Sequence, residues 1–226
     1  MKELLEIYNL KSQITGIQER SEFYKEIKEE FKRTGKITKK VRIIRLLLLT
    51  SEGRIYIQKR SETKEENPSL YDKTIGGHIK AGHTWDLTVV QECHEELGFP
   101  AVVLSDDEFR MAVGATDLKI IGLFRKVDYI PNLISIRKTK EGDDFKQPYM
   151  CSFYIGYYDG SIRFCDGEST GIEVMTLEQL KNKIKAYPEM FAEDLKFMIK
   201  RYEKFIVPLE KEHKTVLGYE EEANIE

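Results

Sequence analysis

The spacing of apolar residues along the chain predicts strands, where apolar and polar residues alternate, and helices, where apolar residues recur every three to four positions. Residues 4–18 alternate around a polar centre, which predicts a small hairpin. Residues 19–34 carry apolar side chains three and four positions apart and are followed by Gly35, which predicts an amphipathic helix. Residues 41–50 and 54–60 then predict two strands joined by a turn. Because the first of these is apolar almost throughout, we expect it at the centre of a sheet.

The best-defined helix is predicted over residues 84–97. Val89, Cys93 and Leu97 recur on one face, and Gly98 stands where a left-handed C-terminal cap is expected. The helix therefore offers one apolar face to a core and leaves its other face for polar chemistry.

The second half of the chain predicts further strands and two helices. The strands are expected at residues 118–127, 133–136 and 149–157, and the helices near 176–186 and 188–206. Together with the earlier elements they predict an α/β (α+β) domain in which helices pack on both sides of a mixed sheet. The segment 126–148 exceeds a tight hairpin, and it is either an insertion that shapes specificity or a surface excursion.

The pattern divides the 226 residues into three parts. We expect residues 1–40 to form a hairpin and helix packed on the main domain, and residues 41–207 to form that domain. Residues 208–226 lack periodicity and contain three consecutive glutamates, which predicts a flexible acidic tail.

Composition narrows the class of partner. A net charge of −3 gives no basic field for a nucleic acid polymer, and the longest apolar run, residues 46–49 extended back through Ile43 and Ile44, is too short to span a membrane. The 3 cysteines are widely spaced, so they imply no disulfide framework and a reducing cytoplasm is expected. The oligomeric state stays open, a homodimer included.

Three carboxylates carry the candidate chemistry. Glu92, Glu95 and Glu96 lie at i, i+3 and i+4 of the predicted helix, so they project from one face and repel one another. A hard cation such as Mg²⁺ would remove that repulsion, and the Gly76-Gly77 pair before the helix can bring backbone carbonyls close to it. The alternative is a solvated acidic face that holds no ligand.

The segment GHIKAGHTWDLTVVQECHEELGF, residues 77–99, resembles the Nudix box. That pattern is Gly, five residues, Glu, seven residues, then Arg-Glu-aliphatic-any-Glu-Glu-any-Gly-aliphatic. The glycines and all three carboxylates fall at the required places, whereas His83 replaces the pattern's first Glu and Gln91 replaces its Arg. That Glu and Arg pair with each other in the family, and their loss together leaves two polar groups that could still hydrogen-bond each other.

The resemblance implies a Nudix-type α/β/α sandwich with an N-terminal hairpin and helix, and a hydrolase that cleaves the phosphoanhydride bond of a small-molecule diphosphate. The implied cofactor is Mg²⁺ or Mn²⁺, held by the Gly76 carbonyl, Glu92, Glu95 and Glu96. Glu92 or Glu95 would activate the attacking water. Glu168 aligns with an acidic position of the family and is a further candidate ligand or base, or else a solvated loop residue.

Basic residues around the expected cleft are candidates for substrate binding. Arg54, Lys59 and Arg60 could bind phosphates, although strand-end cations are often only solvated. His78 could contact a phosphate or serve to pack the loop.

Residues 57–61, Lys64, Pro68 and residues 71–78 resemble the approach to the box in the isopentenyl-diphosphate-isomerase-like branch. Those isomerases need a catalytic Cys where this chain has Gly76, and metal-binding histidines near the first long strand, where it has none. Isomerisation is therefore disfavoured. A catalytically silent Nudix domain that binds a nucleotide or metabolite is the main alternative to a hydrolase.

Overall fold

The computed structural model describes residues 2–138, 144–163 and 169–209. The chain begins, as predicted, with a hairpin of β1 (Leu4–Asn9) and β2 (Ile14–Glu19), followed by helix α1 (Arg20–Thr34). The helix ends because Gly35 adopts a left-handed conformation with φ of 67°. The remaining elements are β3 (Lys39–Leu49), β4 (Ile55–Arg60), β5 (Tyr71–Asp72), β6 (Ile75–His78), α2 (Trp85–Leu97), β7 (Ala101–Leu104), α3 (Asp106–Val113), β8 (Gly122–Lys138), β9 (Asp144–Tyr157), β10 (Ser169–Met175), α4 (Leu177–Ala186) and α5 (Glu193–Tyr202), with short 3₁₀ turns at Pro188–Met190 and Glu203–Phe205.

Strand β3 lies at the centre of a mixed sheet with the order β10-β4-β3-β9-β8-β7. It pairs parallel with β9 and antiparallel with β6, and β1 pairs with its start. Both faces of β3 are buried, which accounts for its almost continuous apolar sequence.

The two faces of β3 belong to two separate apolar clusters. Ile43 and Leu47 point into the larger cluster, which also contains residues of α1 and α5. Ile44, Leu46 and Leu48 point the other way, toward α2. Helices on both sides of a mixed sheet confirm the predicted fold class. Leu5 and Phe23 belong to the larger cluster, so the N-terminal hairpin and helix share the core of the main domain.

Residues 126–148 are more regular than the predicted strands indicate. The described part of this segment forms the arms of a long hairpin in which β8 and β9 pair from Leu123↔Tyr157 to Lys138↔Asp144. Register shifts near Lys126 and Ile130 interrupt the alternation of side chains. Because of these bulges, the sequence pattern predicts two strands, at residues 118–127 and 133–136, where the structure has the single strand β8.

Two smaller expectations are also corrected, and one helix was not predicted. Helix α3 was missed, although Ser105 and Glu108 form a capping box at its start. The strand expected from residue 118 begins only at Gly122, and the last long helix begins at Glu193 because Pro188 starts a separate 3₁₀ turn. Most of the predicted acidic tail, residues 210–226, lies outside the described residues. Within the described part, no helix combines the length and apolar character needed to cross a membrane.

Candidate active site

Helix α2 presents the carboxylates because its ends and its apolar face fix its rotation. Thr84 caps its start by accepting a hydrogen bond from the Leu87 amide (3.1 Å), and Gly98 ends it with φ of 73°. Val89, Cys93 and Leu97 are buried in the smaller apolar cluster. The predicted helix and its C-terminal cap at Gly98 are confirmed, and the N-cap at Thr84 is a finding of the structure.

Glu92 lies directly against the backbone of β6. A Cβ atom placed on Gly77 would stand 2.3 Å from Oε1 of Glu92, so only glycine admits the carboxyl group there. Burial raises the pKa of Glu92 to about 7, the nearby charge of Glu95 acts in the same direction, and a hydrogen bond to Glu96 opposes both. Glu92 and Glu96 thus form a close acidic pair next to a glycine backbone.

Glu95, the third carboxylate, points to a different environment. Its side chain is exposed, and Nζ of Lys80 lies 3.8 Å from its Oε1. The structure therefore brings Glu92 and Glu96 together and leaves Glu95 accessible to solvent.

The acidic pair fits a hard divalent cation. Glu92 and Glu96 offer carboxylate oxygens, the donor type that Mg²⁺ and Mn²⁺ prefer, and their proximity is costly unless a proton or a cation lies between them. In the described parts of the chain, no three His, Cys, Asp or Glu side chains already stand in metal-binding geometry. The fit therefore depends on backbone oxygen, water and substrate for the remaining ligands.

The two departures from the box are in contact with each other. Nδ1 of His83 donates to Oε1 of Gln91 over 3.0 Å. The carbonyl of His83 also accepts a hydrogen bond from Nη2 of Arg42 (3.2 Å). The hydrogen bond that the sequence suggested between these residues is confirmed, and it joins the loop before α2 to the helix.

A cleft of about 790 Å³ opens beside this site. Its walls come from α1, the loop after β4, β6, α2 and α5, so the N-terminal helix is part of it. Glu96, Gly76, Gly77 and His78 line it. Tyr24 lines it as well, which the sequence did not indicate.

His78 belongs to a chain of hydrogen bonds that starts in the cleft. Its Nε2 lies 2.6 Å from Oη of Tyr24, which lies 3.1 Å from Oη of Tyr149, which donates to Oε1 of Gln147 over 2.6 Å. Because Tyr149 donates to Gln147, the proton order that satisfies every contact has His78 donating to Tyr24 and Tyr24 to Tyr149. Burial lowers the pKa of His78 well below its usual value, so its imidazole is neutral.

The three basic candidates occupy different places. Arg60 lines the cleft, and its Nε and Nη2 donate to the carbonyl of Glu66. Lys59 points to the other face of β4, where its Nζ lies 5.6 Å from the ring centroid of Tyr71. Arg54 stands at the opposite end of β4 and pairs with Glu52 (3.2 Å).

Further charged residues in the cleft were missed by sequence reasoning. Arg45, Lys73 and Asp194 line it and form an ion-pair cluster on its floor. They come from β3, the turn before β6, and α5, and no local motif links such distant segments. Glu168 lies outside the described residues, so its predicted role stays a prediction.

Comparison with known proteins decides the family. The model of the NUDIX domain matches residues 39–195. The chain belongs to the Nudix family. This confirms the resemblance carried by the box, and the match begins near the start of β3, after the N-terminal hairpin and helix.

Individual relatives match shorter segments of this Nudix protein. A Nudix hydrolase of Deinococcus radiodurans is 32% identical over 66 residues, which are 29% of this chain and 39% of the relative. An uncharacterized Nudix hydrolase of Nostoc is 28% identical over 95 residues, 42% of this chain and 50% of the relative. The chain thus spans half or less of the length of these curated relatives.

A solved structure supports the fold. The crystal structure of DR0079 from Deinococcus radiodurans aligns with a TM-score of 0.59 at 20% identity, covering 88% of this chain and 98% of that one. The likeness confirms the Nudix fold of the chain, including its mixed sheet with helices.

Proposed function

We propose that this protein is a divalent-metal-dependent hydrolase that cleaves the phosphoanhydride bond of a small-molecule diphosphate, such as a nucleoside diphosphate derivative. The observation that carries the proposal is the acidic pair of Glu92 and Glu96, packed against Gly77 at the cleft. A proton or a cation must separate two carboxyl groups held this closely. In a cleft, a cation placed there can also touch a substrate.

Mg²⁺ or Mn²⁺ is the cofactor we propose. Glu92, Glu96 and the carbonyl of Gly76 would hold it, with Glu95 as a further ligand from the same helix. When bound, such an ion neutralises charge on the diphosphate oxygens. The protein would supply the ligands and the position, which are the main contributions of an enzyme to this kind of reaction.

The proton of the attacking water would pass to a carboxylate of α2. Glu95 is exposed and therefore reachable by water, whereas Glu92 lies under the glycine backbone. Either can accept the proton at a carboxylate oxygen. Glu168 remains a further candidate for the same role.

The shape of the cleft supports a small-molecule substrate. Its volume of about 790 Å³ is in the range of metabolite pockets. Arg60 and the neutral His78 lie in its wall, and we propose that both position the substrate, whereas Arg54 and Lys59 have no part in the cleft. We also propose a cytoplasmic location.

The alternative function, a catalytically silent Nudix domain that binds a nucleotide or metabolite, is based on the two departures from the box. The contact between the two replaced residues argues against it. His83 and Gln91 replace the paired Glu and Arg, but they form a hydrogen bond at the same junction. The loop therefore still contacts α2 at this junction, but through a hydrogen bond between other residue types. Turnover is the property that separates the two readings.

The test is a panel of nucleotide sugars, dinucleotides, nucleoside triphosphates and prenyl diphosphates incubated with Mg²⁺, with products identified by ³¹P NMR. We expect hydrolysis of at least one compound, and a loss of about a hundredfold or more in Glu95→Gln and Glu96→Gln. Glu178→Gln, at an exposed carboxylate of α4, is the matched control and should keep full activity. Tight binding without turnover for every compound would overturn the proposal.

A further inference from the structure

The floor of the cleft holds a buried cluster of ion pairs. Nη2 of Arg45 lies 2.6 Å from Oδ2 of Asp194, and Nζ of Lys73 lies 3.7 Å from the same atom. Nζ of Lys73 also lies 3.2 Å from Oδ1 of Asp72, and Nη1 of Arg60 lies 3.7 Å from Oδ2 of Asp72. Arg45, Lys73 and both aspartates are almost completely buried.

The charges in this cluster do not balance. Among the described residues, Arg45, Lys73 and the partly exposed Arg60 share the two carboxylates of Asp72 and Asp194, which leaves one positive charge in excess. The neighbouring ion pair of Arg137 and Glu66 is neutral as a pair and does not change the excess. An uncompensated charge in a buried site is unfavourable unless an opposite charge joins it.

Unused hydrogen-bonding capacity accompanies the excess charge. Nε of Arg45 is buried and has no hydrogen-bond partner within the described residues. The contacts of Lys73 with carboxylates, at 3.2 to 3.7 Å, are longer than the roughly 2.7–2.9 Å typical of strong charge-assisted hydrogen bonds. Both cations can therefore donate hydrogen bonds to a further anion.

The excess charge lies beside the acidic pair, on the other face of β6. Arg45 pairs in register with Gly76, and a Cβ atom on Gly76 would stand 3.3 Å from Nζ of Lys73. Gly77, the next residue, faces Glu92 instead. Since successive residues of a strand point to opposite faces, β6 separates a basic face from an acidic one, and both glycines line the cleft.

We propose that Lys73 and Arg45, assisted by Arg60, form an anion subsite that binds a phosphoryl group of the substrate directly. This rests on the proposed function, in which the other phosphoryl group would lie against the divalent cation that Glu92 and Glu96 would hold. The subsite binds the oxygens of a dianionic phosphate and makes no contact with the organic group attached to it. It requires no metal, so it can be measured apart from catalysis.

The experiment is calorimetric titration of inorganic phosphate into the full-length protein in the presence of EDTA, which removes divalent cations. The wild type should bind phosphate, and Lys73→Met should bind it about tenfold or more weakly because a charge-assisted hydrogen bond is lost. Lys73→Arg should restore most of the affinity. Lys185→Met, at an exposed position of α4 outside the cleft, should match the wild type.

A second variant separates loss of binding from loss of folding. Asp72→Asn removes one carboxylate and keeps Oδ1, which accepts the amide of Lys73 (2.8 Å). It should bind phosphate more tightly than the wild type, a gain that misfolding does not produce. Unchanged affinity in both Lys73→Met and Asp72→Asn would overturn the subsite.

The outcomes distinguish the subsite from the proposed function. Phosphate binding that depends on Lys73, together with no hydrolysis of any diphosphate, would support the subsite and contradict the hydrolase. Metal-dependent hydrolysis, together with phosphate binding that is unaffected by Lys73→Met, would contradict the subsite and leave the hydrolase supported.

Discussion

Nδ1 of His83 lies 3.0 Å from Oε1 of Gln91, at two positions where the Nudix box has Glu and Arg. A neutral hydrogen bond thus occupies the junction at which the family places an ion pair. One replacement alone would leave a charge without its partner, whereas the two together leave none. The pair keeps the loop joined to α2, the helix that carries the carboxylates.

Restoring the family's residues should therefore work only when both are changed. Gln91→Arg alone places a cation against the imidazole and removes its acceptor, so we expect the free energy of unfolding to fall by about 1–2 kcal/mol. His83→Glu/Gln91→Arg should recover that loss through a new ion pair. Urea unfolding of both single variants and the double variant gives the coupling energy. Additive effects of the two single changes would show that this contact does not support the loop.

The close approach of Gly77 and Glu92 predicts a severe effect of one methyl group. Gly77→Ala would place Cβ 2.3 Å from Oε1 of Glu92, so the carboxylate must move. We expect kcat/KM to fall by about a hundredfold or more, as displacements of about 1 Å at catalytic sites do. Gly16→Ala is the control, because no atom lies within 4 Å of its added Cβ. Full activity in Gly77→Ala would show that the position of the Glu92 carboxylate does not matter to catalysis.

The hydrogen bond between Tyr24 and His78 predicts that the N-terminal helix matters to the cleft. Tyr24→Phe leaves Nε2 of His78 and Oη of Tyr149 without this partner, at an expected cost of about 1–3 kcal/mol of folding stability. KM for the substrate should also rise, because His78 would lose its fixed orientation. Tyr187→Phe, at an exposed residue of α4's C-cap, is the control and should change neither quantity. A Tyr24→Phe protein that is as stable as the wild type would contradict the hydrogen-bond chain.

The parts of the site that lie close together in the chain could be predicted from the sequence. The three carboxylates depend on the period of one helix, Gly98 marks the end of that helix, and the contact of His83 with Gln91 spans eight residues. Helix α3 could also have been found, because Ser105 and Glu108 stand at the spacing of a capping box. The long hairpin was hidden by its bulges.

The basic floor of the cleft could not be predicted, because it depends on contacts between distant segments. Arg45 reads as an interruption of an apolar strand, and its partner Asp194 belongs to the last helix of the described chain. The substrate-binding expectation treated Arg54, Lys59 and Arg60 as one group. Alternation along β4 places Lys59 and Arg60 on opposite faces, and only Arg60 lines the cleft.

The central claim is that the carboxylates of α2 hold a divalent cation. It is tested most directly by titrating Mn²⁺ into the protein and measuring free Mn²⁺ by electron paramagnetic resonance, with the wild type, Glu92→Gln, Glu96→Gln and the control Glu178→Gln side by side. We predict that the wild type and the control bind Mn²⁺ and that both site variants bind it at least about tenfold more weakly. Equal binding by all four proteins, or none by the wild type, would contradict the account.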